Sequence, residues 1–277
     1  MTDRTVQSVT LRVPQLESAR RFYQEVVGFD VLEEKDGRVG LGSGGREVVT
    51  LVAVPDARPR GSGEAGLFHL AILFPERGAL ADALARVTEM DYVMTGASDH
   101  LVSEALYMND PGANGVELYR DRPESEWEYD ASGDVRMTTK RLNLEDLQGD
   151  GSQPTPDGAP EATRLGHVHL EVTDLERAAT FYGDIFGMEM QTSRRGARFL
   201  SWDGYHHHVA LNTWNRRRKP HNSEALGLES LTATMPASDV DEVRQRATDS
   251  GISVKETDRG FRLTDPDGIR WRIRAEK

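Results

Sequence analysis

Residues 9–28 read VTLRVPQLESARRFYQEVVG, and residues 168–187 read VHLEVTDLERAATFYGDIFG. The two stretches align without a gap, with identities at Val9/Val168, Leu11/Leu170, Val13/Val172, Leu16/Leu175, Glu17/Glu176, Ala19/Ala178, Phe22/Phe181, Tyr23/Tyr182 and Gly28/Gly187. Chance does not give that many matches in so short a window, so the chain is an internal duplication. Each copy reads as a strand followed by a helix. Val168, Leu170 and Val172 alternate with the period of a half-buried strand. Asp174 is placed to cap the helix, whose apolar positions Leu175, Ala178, Ala179 and Tyr182 follow helical spacing, and Gly187 is placed to end it.

Working outward, a second type of segment follows each copy. LFHLAILFP (67–75) and LESLTATMP (228–236) read as strands, each followed by a helical stretch. Both end in a strand–turn–strand close, LYMNDPGANGVELY (106–119) and RLTDPDGIRWRI (262–273), whose Asp-Pro turns mark tight hairpins. The chain therefore contains four βαβββ modules, near 5–54, 66–122, 165–214 and 227–277. The stretch 148–163, QGDGSQPTPDGAPEAT, is rich in Gly, Pro, Asp and Ser and reads as exposed linker. The expected organisation is a first domain over 1–123, a linker over 124–164 and a second domain over 165–277. The fold class is α+β, each domain a curved mixed sheet forming a cup with helices outside.

Composition narrows the chemistry. The chain has 277 residues and no cysteine, so thiol nucleophiles, disulfides, iron–sulfur clusters and zinc–thiolate sites are excluded, and any metal must be held by His, Asp and Glu. A formal charge of -12 argues against a nucleic-acid surface. The basic run Arg216-Arg217-Arg218-Lys219 is short and reads as a solvated loop, and His221 reads as a surface residue. No apolar run approaches the ~20 residues that cross a bilayer, and MTDRTVQSVT lacks the apolar core of a signal peptide. No membrane association and a cytoplasmic location are expected. Lysine is scarce (Lys35, Lys140, Lys219, Lys255, Lys277) beside abundant Asp and Glu. That pattern fits a salt-adapted (halophilic) protein or an ordinary acidic enzyme from a high-GC genome.

The repeat, with its (V/L)xLxV–DLERAxxFY–G pattern and its DP–NG–VE close, resembles the vicinal-oxygen-chelate (glyoxalase/bleomycin resistance/extradiol dioxygenase) superfamily. The resemblance covers all four modules, and the layout is most similar to bacterial catechol-2,3-dioxygenase-like proteins. It implies a divalent metal, usually Fe(II), inside a cup. Two His and one carboxylate suit non-haem Fe(II), and Mn(II) accepts the same set. In this superfamily a ligating His stands on a module's first strand. Superposing the modules puts His69 opposite His167, while Ser8 and Ser230 hold that position in modules one and four. The carboxylate position on the last strand is Glu117 in module two, against Ala210 in module three and Arg270 or a neighbour in module four. The ligand set is therefore His69, Glu117 and His167, shared by modules two and three. His169, on the same strand face as His167, is the rival third ligand.

HLVSEALYMNDPGANGVE (100–117) resembles the extradiol dioxygenase signature, departing from it at Ala113 and Ser98. The resemblance implies that His100 and Tyr107 lie beside the bound substrate, where hydrogen-bond donors hold the charge of a deprotonated diol. The plain alternative is a surface His and a core Tyr. His206-His207-His208 opens module three's last strand and resembles the family's acid–base His there. Alignment favours His207, and alternation favours His208. Asn212 and Trp214 could shape the pocket. The implied reaction is ring cleavage of a catechol-like diol with O2. Two alternatives stay open: a glyoxalase-like metal-dependent lyase or isomerase, and a ligand-sequestering protein without turnover. Superfamily members often form homo-oligomers, so self-association is an expectation of the resemblance.

Overall fold

Alternation of apolar residues decides which side of each strand turns toward a helix, and the module order follows from it. In this computed structural model, residues 4–131 and 133–276 are described. Module one comprises β1 (Thr5–Val13), α1 (Leu16–Arg21) continued by a wider turn over Phe22–Val27, β2 (Asp30–Lys35), β3 (Arg38–Ser43) and β4 (Arg46–Ala53). Module two comprises β5 (Gly66–Phe74), α2 (Arg77–Glu89), β6 (Met94–Asp99), β7 (Ser103–Asn109) and β8 (Gly115–Asp121). The intervening segment carries β9 (Lys140–Arg141) and α3 (Leu144–Gln148). Module three is β10 (Arg164–Glu171), α4 (Leu175–Asp184), β11 (Glu189–Arg194), β12 (Ala197–Ser201) and β13 (Val209–Asn212). Module four is β14 (Gly227–Met235), α5 (Ala237–Asp249), β15 (Lys255–Thr257), β16 (Gly260–Thr264) and β17 (Arg270–Ala275). The four βαβββ repeats read from the sequence are all present.

The chain divides into two compact units. One contains Met1–Arg12, Ala57–Phe68 and Gly166–Lys277, and the other Val13–Asp56 and His69–Leu165. In the first unit the strand orders are β15-β16-β17-β14-β1 and β11-β12-β13-β10. In the second they are β4-β3-β2 and β5-β8-β7-β6-β9. β5 with β8, β10 with β13 and β14 with β17 pair in parallel, and the hairpin strands pair antiparallel. These are mixed sheets with helices, as expected. Among the described residues no helix is long and apolar enough to cross a membrane.

The capping residues behave as their chemistry requires. The Asp174 side chain accepts the Arg177 amide at 3.0 Å and opens α4. Gly28 and Gly187 take φ of 91° and 69°, the left-handed backbone that ends a helix cheaply only without a Cβ.

Inside each unit the helix of one module is tied to the Asp-Pro turn of the next. In the second unit the Tyr23 hydroxyl donates to Asp110 Oδ2 at 3.1 Å, while Asp110 Oδ1 accepts the amides of Gly112 and Asn114 at 2.8 and 2.9 Å. In the first unit Tyr182, the repeat mate of Tyr23, donates to Asp265 Oδ2 at 2.8 Å, while Asp265 Oδ1 accepts the amides of Asp267 and Ile269 at 2.9 and 2.8 Å. A second tie runs the other way. Arg86 of α2 donates to Val27 O at 3.0 Å, and Arg246 of α5 donates to Ile185 O at 3.1 Å. Both guanidiniums satisfy carbonyls left open where a helix ends.

The intervening segment buries Trp127, Val135, Leu142 and Leu147. Its polar part is mostly exposed but pinned within its unit. Arg86 donates to Pro156 O at 3.1 Å, the Ala159 amide to Gly28 O at 2.7 Å, and Ser43 to Pro160 O at 2.7 Å.

Burial pushes the Asp265 carboxyl up to about 7, and it pushes the Tyr182 phenol well above its usual range, with the Asp265 charge adding to the effect. A carboxyl with a raised folded-state pKa binds protons more tightly folded than unfolded. Its stabilisation is present below about pH 4 and is lost as pH rises toward 7. Relative to Asp265→Asn, the wild type is expected to lose on the order of a few kcal/mol of stability between about pH 4 and pH 7. Urea titrations across that range check this, and parallel pH profiles for the two proteins would refute it.

Candidate metal centre and active site

The second unit holds His69, Tyr107 and Glu117 on three adjacent strands. In the parallel ladder Ala71 of β5 stands beside Glu117 of β8, and in the antiparallel one Tyr107 of β7 stands opposite Glu117. Side chains paired this way share a face. That face carries Ala71, Glu117 and Tyr107 at one level and His69 two residues back along β5, and Ala71, Leu73, Ala105 and Tyr119 pack as an apolar cluster against Tyr107. His69 Nε2 lies 2.9 Å from Glu117 Oε2, with the two residues only 8% and 3% exposed. A carboxylate so enclosed needs a proton or a cation beside it. An imidazole nitrogen and a carboxylate oxygen on one apolar-backed face are donors suited to Fe(II) or Mn(II).

His100 and Tyr107 form a coupled pair. His100 Nε2 lies 2.7 Å from the Tyr107 hydroxyl, and Nδ1 lies 2.6 Å from Thr138 O. A carbonyl only accepts, so Nδ1 carries a hydrogen. Tyr107 is also hydrogen-bonded to Glu117. A chain thus runs from Thr138 through the imidazole and the phenol to the carboxylate. Burial, then the Glu117 charge, hold the Tyr107 phenol well above its usual range.

The first unit carries the other predicted residues on β10 and around β13. His167 and His207 have ring centroids 4.1 Å apart, and His207 also meets the Phe199 ring at 5.2 Å. His206 Nδ1 lies 2.8 Å from His207 Nδ1. His208 is directed elsewhere: its Nδ1 accepts the Trp202 amide at 3.2 Å, and its ring packs on Tyr205 and Trp202. Within this unit it is therefore His207, not His208, that adjoins His167. His169 contacts Asn212 Nδ2 through Nε2 at 3.0 Å, and the rings of Phe68 and Trp214 flank it at 5.0 and 5.2 Å.

The model of the Glyoxalase/Bleomycin resistance protein/Dioxygenase superfamily matches residues 5–118 and 164–273. The chain belongs to that superfamily. A catechol-2,3-dioxygenase of Bacillus subtilis (strain 168) is 38% identical over 267 residues, 92% of each chain. Among solved structures, one from Bacillus subtilis superposes with a TM-score of 0.69 at 16% identity, covering 98% of this chain and 84% of that one. Glyoxalase I from Zea mays superposes with a TM-score of 0.61 at 14% identity, covering 98% and 92%. At such identities these two structures establish the shared fold.

This superfamily member also has polar machinery that sequence reading missed. Glu171, on the face of β10 shared with His167 and His169, is buried and accepts from Arg217 Nη2 at 2.8 and 3.0 Å and ion-pairs with Arg60 at 3.0 Å. Arg217 is thus turned inward out of the basic run, while Arg216, Arg218 and Lys219 are exposed as expected. His221 is buried rather than on the surface, with Nδ1 3.3 Å from Ala65 O. The alternation that put Glu171 beside the two His was legible. Its partners come from loops, where residue type alone does not tell an inward arginine from a solvated one. Glu171→Gln removes the buried carboxylate that Arg60 and Arg217 share and is expected to cost ~3–5 kcal/mol. Urea denaturation measures it, and a change below ~1 kcal/mol would show the cluster to be solvent-screened.

Proposed function

We propose that the protein is an extradiol ring-cleaving dioxygenase that inserts O2 into a catechol-like aromatic diol beside its two hydroxyls. The observation that carries this reading is the enclosed His69–Glu117 pair, in a chain 38% identical over most of its length to a catechol-2,3-dioxygenase. In this proposal His167 joins His69 and Glu117 as the third ligand of one metal ion, Fe(II) or alternatively Mn(II). When bound, such an ion supplies a Lewis acid that lowers the pKa of a diol hydroxyl and a template for diol and O2 together.

The chain's own groups take the remaining tasks. Tyr107 and His100 form a proton-holding pair next to Glu117, and the pair can accept a diol proton and stabilise the resulting charge by hydrogen bonding. His207, against His167, is the group placed to return a proton as the ring opens. Ala71, Leu73 and Ala105 give the site an apolar floor that limits competing water. This reading also places the protein with soluble enzymes acting on small molecules, and an aromatic-degrading role, a cytoplasmic location and self-association go with it.

Two measurements test it. Anaerobic iron loading followed by metal analysis should give about one ion per chain in the wild type. His69→Ala, Glu117→Ala and His167→Ala should each lower affinity by an order of magnitude or more. If His167→Ala keeps wild-type metal affinity, the third ligand is another residue, with His169 the first to examine. On adding catechols and admitting oxygen, the iron-loaded enzyme should consume oxygen stoichiometrically and give a yellow ring-opened product. In Tyr107→Phe, turnover should fall ~100-fold while bound metal is unchanged. No product across a panel of catechols and hydroquinones would sink the reading.

A further inference from the structure

The duplication gives modules one and four positions equivalent to each residue of the candidate metal site, and their chemistry is inverted. The Asp110 amide donates to Asn114 O at 2.8 Å, and the Asp265 amide donates to Ile269 O at 2.9 Å, so Asn114 matches Ile269 and Glu117 matches Arg272. Glu117 stands beside Ala71 as Arg272 stands beside Thr232, so His69 matches Ser230. Tyr107 stands opposite Glu117 as Arg262 stands opposite Arg272. Ser8 falls where the aligned repeat has His167. A carboxylate, two imidazoles and a phenol are replaced by two guanidiniums and two hydroxyls.

All these residues lie in one unit and on one sheet face. Trp271, Ile273, Leu231 and Ala233 are buried on the opposite face of β17 and β14, so Arg270, Arg272 and Arg274 alternate onto the face of Ser230 and Thr232. On β1, Thr10 pairs with Ser230 and Ser8 with Thr232, which brings Arg12 onto the same face. Among the described residues of this unit, Glu224 and Glu229 are carboxylates in ion-pairing range of this face, and Glu224 also accepts from Arg270 at 3.3 Å. Glu224 and Glu229 lie 3.7 and 4.0 Å from Arg12, both beyond hydrogen-bond length, and Glu229 lies 3.9 Å from Arg272. Two buried donors on this face are left without a partner. Ser230, 4% exposed, has no hydrogen bond at Oγ. The enclosed Nε of Arg12 has none either. A buried hydroxyl and guanidinium nitrogen without acceptors are costly unless something supplies one.

We propose that Arg12, Ser230 and Arg272 form a binding site for a small oxyanion, the phosphate or carboxylate group of a ligand. It is a second site, built on the duplicate of the metal-site positions. It needs no metal and is independent of the dioxygenase reading.

The test is calorimetric titration of the full chain, treated with a chelator so that no metal–phosphate contact contributes. Inorganic phosphate is the probe, sodium acetate forms a second arm, and sodium chloride keeps the ionic strength constant. The wild type should show one saturable site for at least one of the two anions. Ser230→Ala should weaken it ~10-fold or more, and Arg12→Gln at least as much. Glu229→Gln, which removes a competing carboxylate, should tighten it. The anion that binds should raise the wild-type Tm and, at the same concentration, raise that of Ser230→Ala less, which separates a binding site from a merely unsatisfied hydroxyl. No saturable heat for either anion, or wild-type affinity in both Ser230→Ala and Arg12→Gln, overturns the proposal.

Discussion

A buried hydroxyl-to-carboxylate bond, made twice, holds the modules in register. Tyr23 to Asp110 and Tyr182 to Asp265 each join the first helix of a module pair to the Asp-Pro turn of the second. Each aspartate also accepts two backbone amides of its own turn, so one oxygen shapes the hairpin while the other anchors it. Hydrogen bonds of this kind contribute ~1 kcal/mol each, but their larger effect is on precision. The hairpin that Asp110 organises runs directly into β8, and so fixes the height of Glu117 relative to His69 and Tyr107. Without it the strand could slide, and a slip of one residue would turn Glu117 to the opposite face.

Much of this was legible in the sequence because the repeat supplies an internal standard. Val168, Leu170 and Val172 declare a strand, Asp174 and Gly187 bracket a helix, and the Tyr23/Tyr182 and Asp-Pro correspondences recur 159 residues apart or at equivalent closes. The same register argument singled out His69 and Glu117, and the structure brings that pair to 2.9 Å. Contacts made by irregular segments were not legible. Thr138 fixes the His100 ring from a stretch with no periodic signal, and Arg217 turns inward from a run of like charges. In neither case does local sequence encode the partner, since loop direction is set by the sheet it crosses. The choice between His207 and His208 was open for a related reason. Alternation predicts sides only within a strand, and β13 begins at Val209, one residue after the triplet.

The acidic balance of the chain hides where its cations are used. At a net charge of -12 the arginines are a minority, yet several of them sit at enclosed positions with defined partners. Arg86 and Arg246 close helix ends, Arg60 and Arg217 neutralise Glu171, and Arg120 and Arg77 converge on buried Glu104 at 2.8 and 2.9 Å. Guanidinium suits these roles because its planar fork can serve several oxygens while remaining charged when desolvated. Lysine, a compact and strongly hydrated charge, would lose more on burial, which gives a physical reason for the scarcity of lysine beyond surface solubility.

Duplication also explains how one scaffold can hold opposite chemistries. The parallel ladder that sets Glu117 beside Ala71 sets Arg272 beside Thr232, so the two faces share a strand pairing and differ in the side chains they carry. Replacing a carboxylate by a guanidinium at a fixed position reverses the sign of the local potential with no new turn, cap or register shift. A face of imidazole and carboxylate attracts a cation, and a face of guanidinium and hydroxyl attracts an anion. The tyrosine–aspartate ties hold the register in both copies, so each face can carry its own side chains without a change of fold.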